Sequence, residues 1–161
     1  MTRFFKNDQI DGAEEVPVRD AATVMVVRDA PEFEVLLVQR AGKLAFAANA
    51  WVFPGGRVDR ADADDAERVG INLTDADASA ALQVDSGGLA WWFAAIRETL
   101  EEVGVLLGTP SIDAALLPEL RAALDRDGDA FTDLLVEHSI RFDLGTLHEV
   151  CLLYTSPSPR D

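Results

Sequence analysis

The stretch from Gly88 to Gly104 is the most strongly patterned part of the chain and constrains the fold more than any other. Apolar side chains recur through it at helical spacing and fall within about 80° of one another around a helix axis. These side chains belong to Leu89, Phe93, Ile96, Leu100 and Val103. Gly104 then stands where a C-terminal cap belongs. The stretch therefore predicts a long helix with one face in a hydrophobic core.

The opposite face of this helix carries Arg97, Glu98, Glu101 and Glu102. Glu98 precedes the other two glutamates by three and four residues, so the three carboxylates are neighbours on the helix surface. They repel one another unless a cation lies among them, and Mg²⁺ or Mn²⁺ suits carboxylate ligands and substrate phosphates. Arg97 can pair with Glu101 one turn later. The face predicts a divalent metal site, and the alternative is an ordinary solvated acidic face.

The segment before this helix reads as strands. Asp20–Arg28 is β-branched and apolar, which predicts a buried strand, and Phe33–Arg40 predicts a second strand antiparallel to it. Trp51–Phe53 predicts a short strand that ends at Pro54-Gly55-Gly56. Residues Met1–Arg19 are polar and without a period, which indicates a loose arm.

The rest of the chain reads as helices and one irregular excursion. Asp59–Gly88 is rich in Asp and Ala and predicts an excursion with a short helix at Asp62–Val69. Two more helices are expected at Ile112–Arg126 and Asp129–Glu137.

The order of these residues resembles the signature of the Nudix hydrolases: a Gly, a downstream acid, and then Arg-Glu, an apolar residue, any residue, Glu-Glu, any residue, Gly and an apolar residue. Gly56 would be the glycine, and RETLEEVGV at residues 97–105 the helical half, with Thr99 at a position that is usually apolar. Asp62 stands at the spacing of the downstream acid, or belongs to a solvated acidic run. The two halves are separated by about 27 residues more than usual, so we expect residues 63–88 to form an insertion that loops out.

The split signature is similar to that of the peroxisomal coenzyme A diphosphatase branch and its bacterial relatives. The common bacterial coenzyme A pyrophosphatases share a Leu-Leu, Arg, Phe-Pro-Gly-Gly layout, which Leu36, Leu37, Arg40 and Phe53–Gly56 echo. The His of that subgroup's upstream motif has no counterpart in residues 41–50.

The resemblance implies a Nudix-type α/β/α sandwich with a mixed sheet and the hydrolysis of a nucleoside diphosphate linked to another group, with coenzyme A or acyl-coenzyme A as candidate substrates. It implies Mg²⁺ or Mn²⁺ as cofactor. The implied catalytic residues are Arg97, Glu98, Glu101 and Glu102, of which the three glutamates bind metal, and the implied substrate-binding residues are Arg40, Gly55 and Gly56. A non-catalytic Nudix-fold nucleotide-binding module is the alternative.

The charge and composition of the chain disfavour some classes of binding partner. The chain has 14 basic and 29 acidic residues and a net charge of −15, which disfavours nucleic-acid duplexes and anionic membranes as partners. No apolar run approaches the roughly 18 residues of a membrane span, and Met1–Gly12 has no apolar stretch of signal-peptide length. The expected partner is a small-molecule diphosphate, the expected compartment is the cytoplasm, and the oligomeric state stays open.

The last residues, Cys151–Asp161, read CLLYTSPSPRD and continue no earlier pattern. They resemble a translated sequencing-library adapter, and the alternative is a natural tail rich in Ser and Pro. On the first interpretation, residues 1–150 form a Nudix hydrolase domain that lacks its C-terminal end, and 151–161 are a non-native tail. We then expect the chain as written to be an unstable or inactive fragment of an enzyme.

Overall fold

Helix α3, Leu89–Val103, lies at the centre of the fold. This computed structural model describes residues 19–40, 49–109, 112–126 and 128–150. Four of the five predicted apolar positions of α3 are buried, and Val103 is half-buried. Gly104 follows with a φ of 71° and its amide donates to the Leu100 carbonyl, which confirms the predicted cap. The predicted N-terminal arm up to residue 18, most of loop 41–50 and the tail 151–161 lie outside the described residues.

Within the described residues, four further helices pack around α3. They are α1 (Asp62–Val69), α2 (Asp75–Leu82), α4 (Leu117–Arg126) and α5 (Gly128–Glu137). The core is continuous across them, and the Phe93 ring lies 6.3 Å from the rings of both Phe131 and Phe142. The predicted helices corresponding to α1, α4 and α5 are confirmed, although a short 3-10 turn, Ala114–Leu116, precedes α4. None of the described helices has the length and apolar character that crossing a bilayer requires.

The inserted segment does not loop out, contrary to the expectation above. Its helix α2 was not predicted, because Ala and Asp alternate there without an apolar stripe. Nevertheless Ala66 and Val69 of α1, together with Ala78 and Leu82 of α2, are buried in the same core as α3. The insertion is therefore part of the folded domain.

Helix α2 also organises the start of α3. Gly88 carries no side chain that could cap α3, but Asp75 reaches across from α2. Its carboxylate accepts hydrogen bonds from the Leu89 amide at 3.1 Å and from the Gly87 amide at 2.9 Å. These backbone hydrogen bonds lower the pKa of Asp75. A residue of the insertion thus supplies the N-terminal cap of the central helix.

The strands are shorter than predicted, and the described ones pair two by two. They are β1 (Ala21–Thr23), β2 (Val27–Asp29), β3 (Phe33–Val35), β4 (Val38–Gln39), β5 (Trp51–Val52), β6 (Gly55–Arg57), β7 (Gly70–Ile71) and β8 (Phe142–Asp143). The β1–β6, β2–β3 and β4–β5 pairs are antiparallel, and β7–β8 is parallel. The predicted antiparallel arrangement of the first two strands and the α/β class are confirmed. The β1–β6 register sets Ala22 opposite Gly56. The two glycines expected to end a strand therefore begin strand β6 directly after Pro54, and we call these two residues the Gly55–Gly56 turn, or glycine turn.

The two faces of these strands differ, which corrects the prediction of a fully buried first strand. Ala22 is buried against Ala94 and Ala95 of α3, with Val24 partly buried beside it. The odd-numbered positions face the other way and are 37% to 65% exposed. We call these residues the apolar sheet face: Met25, Val27, Phe33, Val35, Leu37, Trp51 and Phe53. The β2–β3 register sets Val27 opposite Val35, and opposed residues of a ladder share a face, so these two lie on the same side of their strand pair.

Candidate functional site

A buried ion pair joins the two halves of the split signature. The Arg97 guanidinium donates from Nε to Asp62 Oδ1 and from Nη2 to Asp62 Oδ2, each at 2.9 Å. Both side chains are buried, and Asp62 also accepts from the Asp59 amide at 2.7 Å. Burial alone would lower the pKa of Arg97, but the hydrogen bonds and charge of Asp62 more than offset this and raise it. Asp62 is therefore a structural partner of Arg97 rather than a member of a solvated acidic run.

Arg97 also contacts groups beside the glycine turn. Nη1 donates to Glu98 Oε1 at 2.9 Å, and Nη2 donates to the Arg57 carbonyl at 2.8 Å. Glu101 lies 3.9 Å from Nη1 and Asp59 lies 3.6 Å from Nη2. The predicted ion pair with Glu101 has the longest distance of these contacts, whereas Asp62 and Glu98 accept hydrogen bonds from the guanidinium. The sequence pattern did not predict Asp59 or the Arg57 carbonyl as partners of Arg97, because both lie about 40 residues before it in the chain.

Glu98 and Glu102 both reach the glycine turn. The Gly55 amide donates to Glu102 Oε2 at 3.1 Å. A β-carbon on Gly56 would lie 2.3 Å from the carboxyl carbon of Glu98, so no side chain fits there while Glu98 keeps its position. Gly55 is also closed to side chains, since its β-carbon would lie 2.2 Å from the Ala22 carbonyl oxygen. The two glycines thus let two carboxylates of α3 approach the same backbone turn.

The electrostatics of these carboxylates suit a cation. Burial raises the pKa of Glu98, Arg97 opposes that shift, and the charges of Glu101 and Glu102 add to it. Among the described residues no three acidic, His or Cys side chains converge closely enough to hold a metal ion. The donor set nonetheless fits a hard divalent cation chemically, because three carboxylates share one helix face and two of them meet at one turn.

Arg40 lies at the end of β4, where its amide donates to the Ala50 carbonyl at 2.9 Å. Its Nε is buried and has no hydrogen-bond partner among residues of the described ranges. No hydrogen bond or ion pair within those ranges joins it to the three glutamates. His138 and His148 are exposed, in keeping with surface positions.

Comparison with known proteins agrees with this geometry. No protein-family model matches the chain. The chain is 33% identical over 100 residues to acyl-coenzyme A diphosphatase NUDT19 of Xenopus laevis, an alignment that covers 49% of this chain and 26% of the relative. The structure resembles the crystal structure of a Nudix hydrolase from Alicyclobacillus acidocaldarius with a TM-score of 0.62 and 34% identity, covering 81% of this chain and 59% of that one.

The chain therefore spans about a quarter of the first relative and rather more than half of the second. The aligned part of the second includes most of the fold described above. The split glycine and helix signature, the carboxylates gathered at the Gly55–Gly56 turn and these two similarities agree with one another. The chain resembles the Nudix hydrolases in sequence, and its structure has the α/β fold of a Nudix hydrolase.

Proposed function

We propose that this protein is a divalent-metal-dependent pyrophosphohydrolase that cleaves a nucleoside diphosphate linked to another group. The observation that carries the proposal is the approach of Glu98 and Glu102 to the Gly55–Gly56 turn. The two glycines let both carboxylates reach one short backbone segment, and the glutamates offer ligands for the cation that a diphosphate needs in a protein of charge −15.

In this proposal Glu98, Glu101 and Glu102 hold Mg²⁺ or Mn²⁺. The metal would neutralise the diphosphate and lower the pKa of bound water. Arg97 acts as a positioning residue, because its guanidinium is buried and its Nη1 fixes Glu98 while Asp62 fixes Arg97. One glutamate accepts the proton of the attacking water.

Arg40 and the two glycines form the proposed substrate-binding group. The buried Nε of Arg40 lacks a partner among the described residues, and a phosphate oxygen would satisfy it. The name of the Xenopus relative points to acyl-coenzyme A as the substrate class, and coenzyme A itself is the next candidate. The cytoplasmic location remains a prediction, which rests on a sequence with no apolar run long enough to span a membrane and no stretch of signal-peptide length in Met1–Gly12.

A hydrolysis assay with mass-identified products tests the activity. The full chain is incubated with Mg²⁺ or Mn²⁺ and a panel of acyl-coenzyme A, coenzyme A, ADP-ribose and nucleotide sugars. We expect two phosphate-containing products from at least one substrate, and a loss of about 100-fold or more in the Glu102→Gln variant. Glu137→Gln removes an equal charge from an exposed position on α5 and should leave the rate unchanged. Equal rates in both variants would refute the site assignment.

The alternative is a non-catalytic nucleotide-binding module. Saturable binding of a panel member with no product at long incubation would favour this alternative. Three mutually repelling carboxylates argue against it, since binding alone does not require them. We further propose that residues 151–161 add nothing to the domain. A chain shortened to end at Val150 should then match the full chain in thermal unfolding and in activity. A cooperative unfolding transition with full activity would contradict the expectation of an unstable or inactive fragment.

A further inference from the structure

A surface pocket of about 540 Å³ lies beside the carboxylate site. It is lined by Arg19, Asp20, Arg57, Val58, Asp59 and Arg60. The pairing of β1 with β6 brings these two chain segments together, because Ala21 stands opposite Arg57 and the Val58 amide donates to the Asp20 carbonyl at 2.9 Å. Three arginines therefore share one pocket as a direct result of the strand register.

These three guanidinium groups are unpaired within the described residues. Most other described arginines donate to a carboxylate or a carbonyl: Arg28, Arg68, Arg97, Arg121, Arg126 and Arg141. Arg19, Arg57 and Arg60 make no such side-chain contact with any residue of those ranges, and Arg40 is the fourth of this kind. The chain has 29 acidic residues for 14 basic ones, so carboxylates to pair with are abundant. Three of the four unpaired arginines nevertheless meet in one pocket.

The acidic residues of the pocket do not cancel this charge. Asp59 lies 3.6 Å from Nη2 of Arg97, so part of its field is already matched by a buried cation. Asp20 is the second carboxylate. Three arginines thus line the pocket with one carboxylate that no other arginine engages, which favours an anion of more than one negative charge.

The pocket shares a wall with the proposed diphosphate site. Arg57 directly follows Gly56, which lies against Glu98, and the Arg57 carbonyl accepts from Arg97 at 2.8 Å. A ligand whose diphosphate lies at Glu98 and Glu102 could therefore extend a second group into the pocket.

We propose that Arg19, Arg57 and Arg60 bind a phosphomonoester that the substrate carries apart from its diphosphate. This rests on the proposed function only in placing the diphosphate at Glu98 and Glu102. Guanidinium groups recognise phosphate through paired, charge-assisted hydrogen bonds, and a phosphomonoester near neutral pH carries close to two negative charges. The pocket would then select substrates that carry this additional phosphate over those that lack it.

Two ligands that differ only in one phosphomonoester test the proposal: coenzyme A and dephospho-coenzyme A. Binding to the full chain is measured by calorimetry with Ca²⁺ in place of Mg²⁺, so that a divalent cation is present, and mass analysis of the ligand after each titration verifies that it is intact. The test variant is Arg57→Gln with Arg60→Gln. The control is Arg28→Gln with Arg126→Gln, which removes the same charge from two exposed arginines elsewhere. Thermal unfolding verifies that both variants are folded.

We expect the wild-type chain to prefer coenzyme A by about tenfold, and the test variant to lose that preference while the control retains it. An equal loss for both ligands would mean that the arginines act on the diphosphate or through long-range charge, and would overturn the proposal. A missing preference in the wild-type chain, including a lack of binding to either ligand, also overturns it. If the preference is present but neither compound is hydrolysed with Mg²⁺, the pocket stands and the proposed activity fails.

Discussion

Gly56 and Glu98 lie so close that a β-carbon on the glycine would come within 2.3 Å of the glutamate carboxyl group. The obstacle is the end of a flexible side chain, so Gly56→Ala should displace Glu98 rather than the backbone. We expect at least a tenfold loss of activity with a change of no more than about 1 kcal/mol in the free energy of unfolding. Steady-state kinetics and urea denaturation check this. Gly128→Ala is the control, because nothing apart from its chain neighbours and the backbone of its own helix lies within 4 Å of the new β-carbon.

Gly55 should respond differently from its neighbour. Its β-carbon would lie 2.2 Å from the Ala22 carbonyl oxygen and 2.7 Å from the Thr23 α-carbon, both of which are backbone atoms. The β1–β6 ladder must therefore shift, and we expect Gly55→Ala to lower the free energy of unfolding by about 2–3 kcal/mol. Urea denaturation of the two alanine variants side by side measures the contrast. Equal stability of the two would contradict the described register.

Asp62→Asn tests the buried pair with Arg97. The amide keeps the shape of the carboxylate but leaves a buried guanidinium without its main counter-charge. Breaking a buried pair in this way costs about 3–5 kcal/mol, and the Arg57 and Glu98 contacts of Arg97 place this case near the lower value. Asp64→Asn, on the same helix but exposed, is the matched control. If both variants unfold at the same urea concentration, Asp62 does not hold Arg97.

The cap from Asp75 predicts a defined pH dependence. Its pKa is lowered by the amides of Leu89 and Gly87, from an ordinary value of 3.8. The charged form therefore stabilises the folded state above about pH 3.8, and this contribution is lost as the pH falls through the lower, folded-state pKa. Asp75→Asn keeps an oxygen that can accept from these amides but removes the charge. At pH 7 we therefore expect it to be less stable by about 0.5–1 kcal/mol, and the difference should vanish near pH 2. Thermal unfolding across pH, with exposed Asp85→Asn as control, measures it. A difference that persists unchanged to pH 2 would contradict the assignment.

The apolar sheet face predicts which aromatic residues matter for stability. Trp51 is 63% exposed and Phe33 is 65% exposed, whereas Phe131 is fully buried in the core. Trp51→Gln and Phe33→Ser should each change the free energy of unfolding by less than about 0.5 kcal/mol, while Phe131→Ala should lower it by about 3–5 kcal/mol. The two surface variants should also be more soluble, because they reduce a contiguous apolar patch. Denaturation and solubility measurements decide this, and a large stability loss in Trp51→Gln would mean that the face is covered in solution.

The helices and the signature could be predicted from the sequence because each depends on local spacing. The apolar period of α3 and Gly104 as its cap are of this kind. The role of Asp62 could not be assigned, since only the folded chain shows that it meets Arg97. Helix α2 escaped prediction because small residues bury without an apolar stripe, as Ala78 does. The exposure of one strand face was also not predicted, because apolar composition does not distinguish a buried face from the exposed apolar sheet face.

The pairing of Asp62 with Arg97 shows that residues far apart in the sequence can form one site. The two residues are 35 positions apart and are joined by two hydrogen bonds of 2.9 Å. What this site requires is proximity in space, so a signature written as a fixed count of residues describes only its uninterrupted form. The intervening segment can gain whole helices, provided that they pack into the shared core and return the chain to α3.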